Sequence, residues 1–286
     1  MPAFERALAL GVTTLEADLA MTRDGVLVVS HDAQLNPALT RDPDGRWLAA
    51  PGPPIWTLTA VELARYDVGR LDPASDYGRQ WPQQAGQDGV RIPTFADLLA
   101  LARRVGVRLN VEIKMTPDNA PPTADATRFA QAVVDAVRAA GLQQQVTIQG
   151  FDWRPLLEVR RLAPELATAC LTIVSPRFDT LRPETDGASR WHAGLKLADH
   201  GGSLPRMVQA AGCSIWSPFW RNLDTAGMAE AQVLGLKVIP WTLNDPTDIA
   251  RFIEMGADGV ISDYPDRVRA VLQALGKPLP APWKPQ

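Results

Sequence analysis

"TLEADLAMTRDGVLVVSHD", residues 14–32, carries two acids one residue apart inside an apolar run, then a second apolar run that ends on His-Asp. Successive side chains on a strand point to opposite faces. Leu15, Ala17 and Leu19 therefore share one face, and Glu16 and Asp18 share the other. Arg23-Asp24-Gly25 reads as a turn, so the two runs are expected to pair as a hairpin. That places His31 at a strand end, in the neighbourhood of the acids.

Outward from this stretch the chain alternates. Upstream, "MPAFERALALG" is an amphipathic helix with Phe4, Ala7 and Leu8 on one face and Gly11 as a left-handed stop. Downstream, residues 36–93 are rich in Pro, Gly, Asp and Trp and read as a long insertion with one short helix near 60–64. Helices are then expected at 94–104, 125–140, 153–163, 204–211, 224–234, 246–255 and 265–275. Strands are expected at 107–113, 146–150, 166–173, 213–218, 236–243 and 258–263, with a second insertion at 176–203. Residues 277–286, "KPLPAPWKPQ", are too proline-rich for a helix. Residues 1–276 thus read as a single barrel domain with two insertions.

Strands alternating with helices imply a parallel sheet with right-handed crossovers. With the strand at 12–19, seven strands feed a helix or long crossover, and the chain opens on a helix that no strand precedes. Seven plus one absent partner make the eight that close a barrel. The fold expected is therefore an α/β, TIM-type (β/α)8 barrel lacking its first β-strand, with a long insertion between the first two strands present. An open doubly wound sheet is the runner-up.

The 286 residues are 46% hydrophobic with a formal net charge of −3 and no long basic run, which speaks against nucleic-acid or anionic-membrane partners. No apolar stretch is long enough for a transmembrane segment. The first residues lack the basic start and cleavage site of a signal peptide, so the chain as written reads as cytoplasmic. A signal on a segment upstream would make it periplasmic. Cys170 and Cys213, the two cysteines, each lie in an apolar run and read as buried free thiols.

The second decisive stretch is "VRLNVEIK", 107–114. Here Arg108, Asn110, Glu112 and Lys114 face one way, with Glu112 and Lys114 at the C-terminal end of the strand. Barrel active sites lie at that rim. Adjacent strands are about 4.8 Å apart, so Glu16, Asp18 and Glu112 can converge. Three convergent carboxylates call for a cation, and oxygen-only ligation suits Mg²⁺ or Ca²⁺. His31 suits a general acid or base. Phe151, Trp216, Phe219 and Trp241 lean toward the rim, and Trp216 and Trp241 are candidates for an apolar wall. Asn244 is a candidate donor at the pocket edge. His192 and His200 lie in the second insertion and read as loop or structural residues.

These residues resemble the glycerophosphodiester phosphodiesterase family over nearly the whole chain. "AFERALALGVTTLEADLAMTRDGVLVVSHD" is similar to its helix, metal-binding strand and histidine segment, "LNVEIK" to its third-carboxylate strand, and "QGFD", "WTLN" and "GADGVISDYP" to later segments. The resemblance implies divalent-cation-dependent hydrolysis of glycerophosphodiesters to glycerol 3-phosphate and an alcohol, a phosphoric diester hydrolase of lipid and glycerol metabolism. It implies Glu16, Asp18 and Glu112 as metal ligands for Ca²⁺ or Mg²⁺, His31 as catalytic acid or base, Lys114 on the phosphate, and Trp241 on the pocket wall beside Trp216 and Phe151. Two departures stand out. Gly150 occupies a position where the family usually has serine, so a small polar contact is lost. The family's opening strand with His-Arg-Gly, and the following Glu-Asn-Thr, lie upstream of the "AFERAL" helix and have no counterpart in this sequence. With one of two histidines absent, acid–base help worth about 10²–10⁴-fold is lost. Two alternatives follow: a truncated, weakly active or inactive phosphodiester-binding barrel, and a phospholipase of the phosphatidylinositol-specific or sphingomyelinase D type.

Overall fold

The computed structural model describes residues 1–284. The last two residues of the proline-rich tail lie outside the described residues. α1 (Pro2–Leu10) stops at Gly11, whose φ of 88° is left-handed. A Cβ at Gly11 would also come within 2.7 Å of the Arg269 guanidinium and the Pro280 carbonyl, so only glycine fits there. β1 (Thr14–Met21) then pairs antiparallel with β2 (Leu27–Val29), the expected hairpin.

The first insertion is better ordered than its composition suggests. It holds α2 (Ala60–Leu63), near the expected helix, and also α3 (Asp76–Gln80), which the sequence reading missed. α3 is five residues long, too short for a periodic apolar signal, and is set by Ser75 accepting from the Gly78 amide. Ile55, Leu63 and Leu35 of this region bury themselves against Ala20 of β1 and Val28 of β2, forming a small second core. Trp81, just past α3, stacks on Tyr264 at 5.7 Å, so the insertion reaches across the top of the sheet.

The alternation follows the sequence closely: α4 (Phe95–Val105), β3 (Arg108–Ile113), α5 (Ala126–Ala140), β4 (Val146–Gly150), α6 (Trp153–Leu162), β5 (Ala167–Thr172), α7 (Leu204–Ala211), β6 (Ile215–Pro218), α8 (Thr225–Val233), β7 (Lys237–Val238), α9 (Pro246–Glu254) and α10 (Pro265–Ala274). The sheet order is β2-β1-β3-β4-β5-β6-β7, parallel everywhere except the β1–β2 hairpin. β7 keeps only two residues of the expected 236–243 run. Residues 258–263 run beside it without becoming a regular strand: Asp258 and Ile261 donate backbone N–H groups to Val238 and Pro240, and Leu243 donates to Ile261. Among the described residues the sheet is not closed by hydrogen bonds, so this TIM-type barrel has an open seam between 258–263 and β1.

Register carries one face around the sheet. Leu15, Ala17, Leu109, Val111, Ile148, Cys170, Trp216 and Val238 are paired neighbours on the helix-facing side and belong to the main core. The alternate residues face inward. One expectation changes as a result. Cys170 and Cys213 are not free thiols but form a disulfide, with Cα atoms 5.9 Å apart. They lie 43 residues apart in sequence, but β5 and β6 are neighbours, so the entry to β6 is brought beside β5. Gly150 pairs with Cys170, so a side chain at this position would lie on the helix-facing side, where a Cβ meets Asp152 and Ile113 backbone oxygens and Leu156.

Candidate active site

The register between β1 and β3 sets Asp18 beside Glu112 and Glu16 beside Asn110, and that between β3 and β4 sets Glu112 beside Gln149. All five side chains are on the inward face near the C-terminal rim. Asn110, Glu112 and Gln149 are buried. Gln149, which the sequence reading passed over, ties the group together. Its Nε2 donates to Glu16 Oε1 (2.8 Å), and its Oε1 accepts from Asn110 Nδ2 (2.7 Å). The signal was present in "VTIQG", where Thr147 and Gln149 alternate with apolar residues as Asn110 and Glu112 do.

Lys114 continues the line one step past β3. Its Nζ lies 3.1 Å from Glu112 Oε1 and 3.5 Å from Asp18 Oδ1. Burial is the main force on these groups. It drives the Glu16 carboxyl well above its usual range, and repulsion from Asp18 and Glu112 adds to that rise. Burial also pushes Glu112 up to about 7, against the pull of Lys114. Desolvation works against the Lys114 cation, but Glu112 and Asp18 outweigh it and hold the ammonium above its usual value. One ammonium cannot neutralise three ionised carboxylates, so the group resists full ionisation without a further cation.

His31 ends the β1–β2 hairpin region with an exposed ring, 73% accessible, and Nδ1 lies 2.9 Å from Asp32 Oδ1. Asp32 is fixed in turn by Asn36, whose Nδ2 donates to the other carboxylate oxygen at 2.7 Å. The hydrogen bond to Asp32 raises the His31 pKa, and the same bond lowers that of Asp32. His31 and Lys114 line one cavity, which brings the histidine to the edge of the acidic group.

The other wall is aromatic. Phe151 meets Trp241 edge-on at 5.3 Å and Phe178 at 5.1 Å, and Phe178 meets Trp191 at 5.1 Å. Lys114 Nζ is 6.0 Å from the Phe151 ring. Phe178 and Trp191 come from the second insertion and were not singled out in the sequence. Trp216 does not join them. It is buried on the helix-facing side, near Gly227 of α8, and its indole N–H donates to Thr172 Oγ1 at 2.9 Å. The strand-end position was read correctly, but the face was not: Ser217, one residue on, is the inward one. Asn244 donates to Asp263 and accepts from its amide, pinning the 262–264 turn. His192 is buried against Trp153, where desolvation depresses its pKa to about 4.

The donor chemistry suits a hard divalent ion: three carboxyl groups on one face against a single ammonium, with Asn110 Oδ1 buried beside them and unpartnered. Among the described residues the carboxylates are not drawn to ligand spacing. Lys114 already satisfies two of them.

Sequence and structural comparisons point the same way. A glycerophosphodiester phosphodiesterase of Caldanaerobacter subterraneus subsp. tengcongensis is 26% identical over 267 residues, covering 92% of this chain and 87% of that protein. A solved structure from Silicibacter pomeroyi DSS-3, provisionally named a glycerophosphoryl diester phosphodiesterase, is 35% identical with a TM-score of 0.84, covering 96% of this chain and 88% of that one. An Oleispira antarctica phosphodiesterase solved with the product sn-glycerol-3-phosphate shares the fold, with a TM-score of 0.66 at 20% identity over 94% of this chain and 88% of that one. The model of the glycerophosphoryl diester phosphodiesterase family, an enzyme class acting on glycerophosphodiesters, matches residues 1–267. With nearly its whole length matched, this chain belongs to the glycerophosphoryl diester phosphodiesterase family.

Proposed function

We propose that the chain hydrolyses glycerophosphodiesters to glycerol 3-phosphate and an alcohol at the β1–β3 rim. The observation that carries this reading is the meeting of Glu16, Asp18, Glu112 and Lys114 on one inward face, with His31 at its edge. Glu16, Asp18 and Glu112 would hold a divalent ion, Ca²⁺ or Mg²⁺. When bound, such an ion supplies Lewis-acid stabilisation of phosphoryl charge.

The chain's own groups divide the remaining work. Lys114 sets positive charge against the phosphate oxygens. Gln149 keeps Glu16 oriented through its amide donor. As a water attacks phosphorus in line and loses its proton to solvent, His31, held toward its imidazolium form by Asp32, gives a proton to the departing alcohol oxygen and the bond from that oxygen to phosphorus breaks. The departing group then leaves as an alcohol instead of an alkoxide. Phe151 and Trp241 form an apolar wall that orients the substrate and limits water. The site draws on β1, β3, β4, the loop before α6 and the segments after β2 and β7, which supports reading residues 1–276 as one domain.

The test is hydrolysis of glycerophosphodiesters, followed as glycerol 3-phosphate release, with Mg²⁺, Ca²⁺ or chelator. Release that needs the metal and vanishes in Glu112→Gln supports the reading. Release that is indifferent to chelator and to Glu112 sinks it. The same assay run on intact phosphatidylinositol or sphingomyelin separates this activity from that of a phospholipase. The Cys170–Cys213 disulfide further favours an oxidising compartment. Among the described residues no helix is long and apolar enough to cross a membrane. Mass spectrometry of alkylated protein taken from its native cells would reveal two blocked thiols if the compartment is reducing.

A further inference from the structure

We infer that the cavity beside His31 seats the leaving alcohol, and that it selects a neutral alcohol with an apolar group over a quaternary ammonium one. The inference rests on the hydrolytic reading above and adds the substrate class.

The cavity has a volume of about 470 Å³, and both His31 and Lys114 line it. A proton donor must lie within hydrogen-bond reach of the oxygen it protonates. Whatever that oxygen carries then extends away from the phosphate. With Lys114 on the phosphate and His31 on the leaving oxygen, the departing group points into the space these two residues share. Most of the remaining wall is apolar, with Leu35, Pro37, Pro51, Met115 and Pro121, and its uncharged polar members are Gln34, Asn36 and Thr116.

The wall chemistry decides among alcohols. A quaternary ammonium is recognised by aromatic faces or by an unpaired carboxylate. Among the described residues no Phe, Tyr or Trp lines this cavity. Its one carboxylate, Asp32, is already engaged by His31 and Asn36. Lys114 also lines it, paired with Glu112 and Asp18, and neither of those acids reaches the lining to draw an ammonium in. The rings that could cage an ammonium, Phe151, Phe178 and Trp241, belong to the aromatic wall and not to this cavity. An alkyl group, by contrast, gains from every methylene it buries against proline, leucine and methionine.

The experiment compares sn-glycero-3-phosphobutanol with sn-glycero-3-phosphocholine on the full chain, by two readouts. The first is the Kd of each diester by calorimetry with divalent ions chelated. The second is kcat/KM with the ion present. The butanol diester is expected to bind more tightly and to turn over with a kcat/KM about tenfold higher. Gln34 also lines the cavity and is only partly buried, outside the catalytic group. Gln34→Glu, an isosteric change that adds an unpaired carboxylate, is expected to shrink the preference by roughly fivefold in both readouts. Equal binding of the two diesters, binding of neither, or a ratio unmoved by Gln34→Glu would overturn the assignment. No turnover of either diester, with the binding preference and its response to Gln34→Glu intact, would remove the hydrolytic reading and leave the cavity's selectivity standing.

Discussion

Across β1, β3 and β4 the inward side chains are Glu16, Asp18, Asn110, Glu112 and Gln149; across β5 and β6 and on to residue 241 they are Ala169, Leu171, Ile215, Ser217 and Trp241. Both halves face the same interior and both are largely buried, yet they are held by different means. The polar half stands on mutual compensation: Lys114 between two acids, Gln149 between Asn110 and Glu16. Each such group would cost several kcal/mol if left alone in a dry site. The apolar half owes nothing to charge. It is packed by side chains and rings and joined covalently at Cys170–Cys213. The contrast assigns the chemistry to the first half and the shaping of the site to the second, and each assignment can be broken separately.

The largest effect belongs to the polar half. Glu112→Gln keeps the shape and removes a charge. It is expected to lower metal-dependent kcat/KM by roughly 10³-fold or more, as when a preorganised electrostatic group is lost from an active site. A second readout does not depend on turnover. A divalent ion that binds only the folded chain raises Tm, and Glu112→Gln should abolish most of that rise. A variant that keeps both the rate and the metal-dependent Tm would place the ion elsewhere.

Next comes the covalent join in the apolar half. Replacing both cysteines with alanine opens a 43-residue loop and is expected to cost about 2–4 kcal/mol of stability. Chemical denaturation would measure it. Activity should change only a few-fold, because Cys170 lies on the helix-facing side. A large loss of kcat with stability unchanged would mean that the two halves are coupled more tightly than the register implies.

Within the apolar half, the two tryptophans test the face assignment. Trp241→Ala removes inward wall and is expected to raise KM about tenfold. Trp216→Phe removes the indole donor to Thr172, which leaves a buried hydroxyl short of a partner, and is expected to cost about 1–3 kcal/mol of stability. Its KM should stay where it was. The reverse pattern would put Trp216 in the site after all.

These two tryptophans also show where the sequence stops being legible. Glu16, Asp18 and Glu112 could be placed because apolar and polar residues alternate around each of them, and Lys114 because it continues the β3 alternation one step past the strand. "CSIWSP" has no such alternation: Ile215 and Trp216 are adjacent and both apolar, and only pairing with Cys170 and Val238 decides which faces out. Gln149 was readable by the rule that found Glu112, but a lone amide draws less notice than an acid. The disulfide was not readable at all, since it depends on which strands are neighbours. α3 and the stacking of Trp81 on Tyr264 were hidden for a related reason: a short helix in a proline- and glycine-rich stretch is fixed by its cap and distant contacts, not by periodicity.

The smallest effect tests how the polar half tunes its one exposed member. The Asp32 bond raises the His31 pKa above its ordinary 6.5, so the imidazolium persists to higher pH than a free histidine would allow. As a proton donor His31 is active when protonated, and the rate should fall as pH rises through that elevated pKa. Asp32→Asn keeps an acceptor but removes the charge. The alkaline limb of kcat/KM should then move to lower pH, with the two rates converging toward the acid side, where His31 is protonated in both. The pair's stability contribution has the same sign: it is fully present below about 6.5, provided Asp32 is ionised, and is lost as pH rises through the folded His31 pKa. Because the ring is 73% exposed, that contribution is screened and small, so Tm should barely respond to Asp32→Asn while the pH profile does. A limb that stays in place would show that the group titrating in the rate is not His31, and the division of labour between the halves would lose its proton donor.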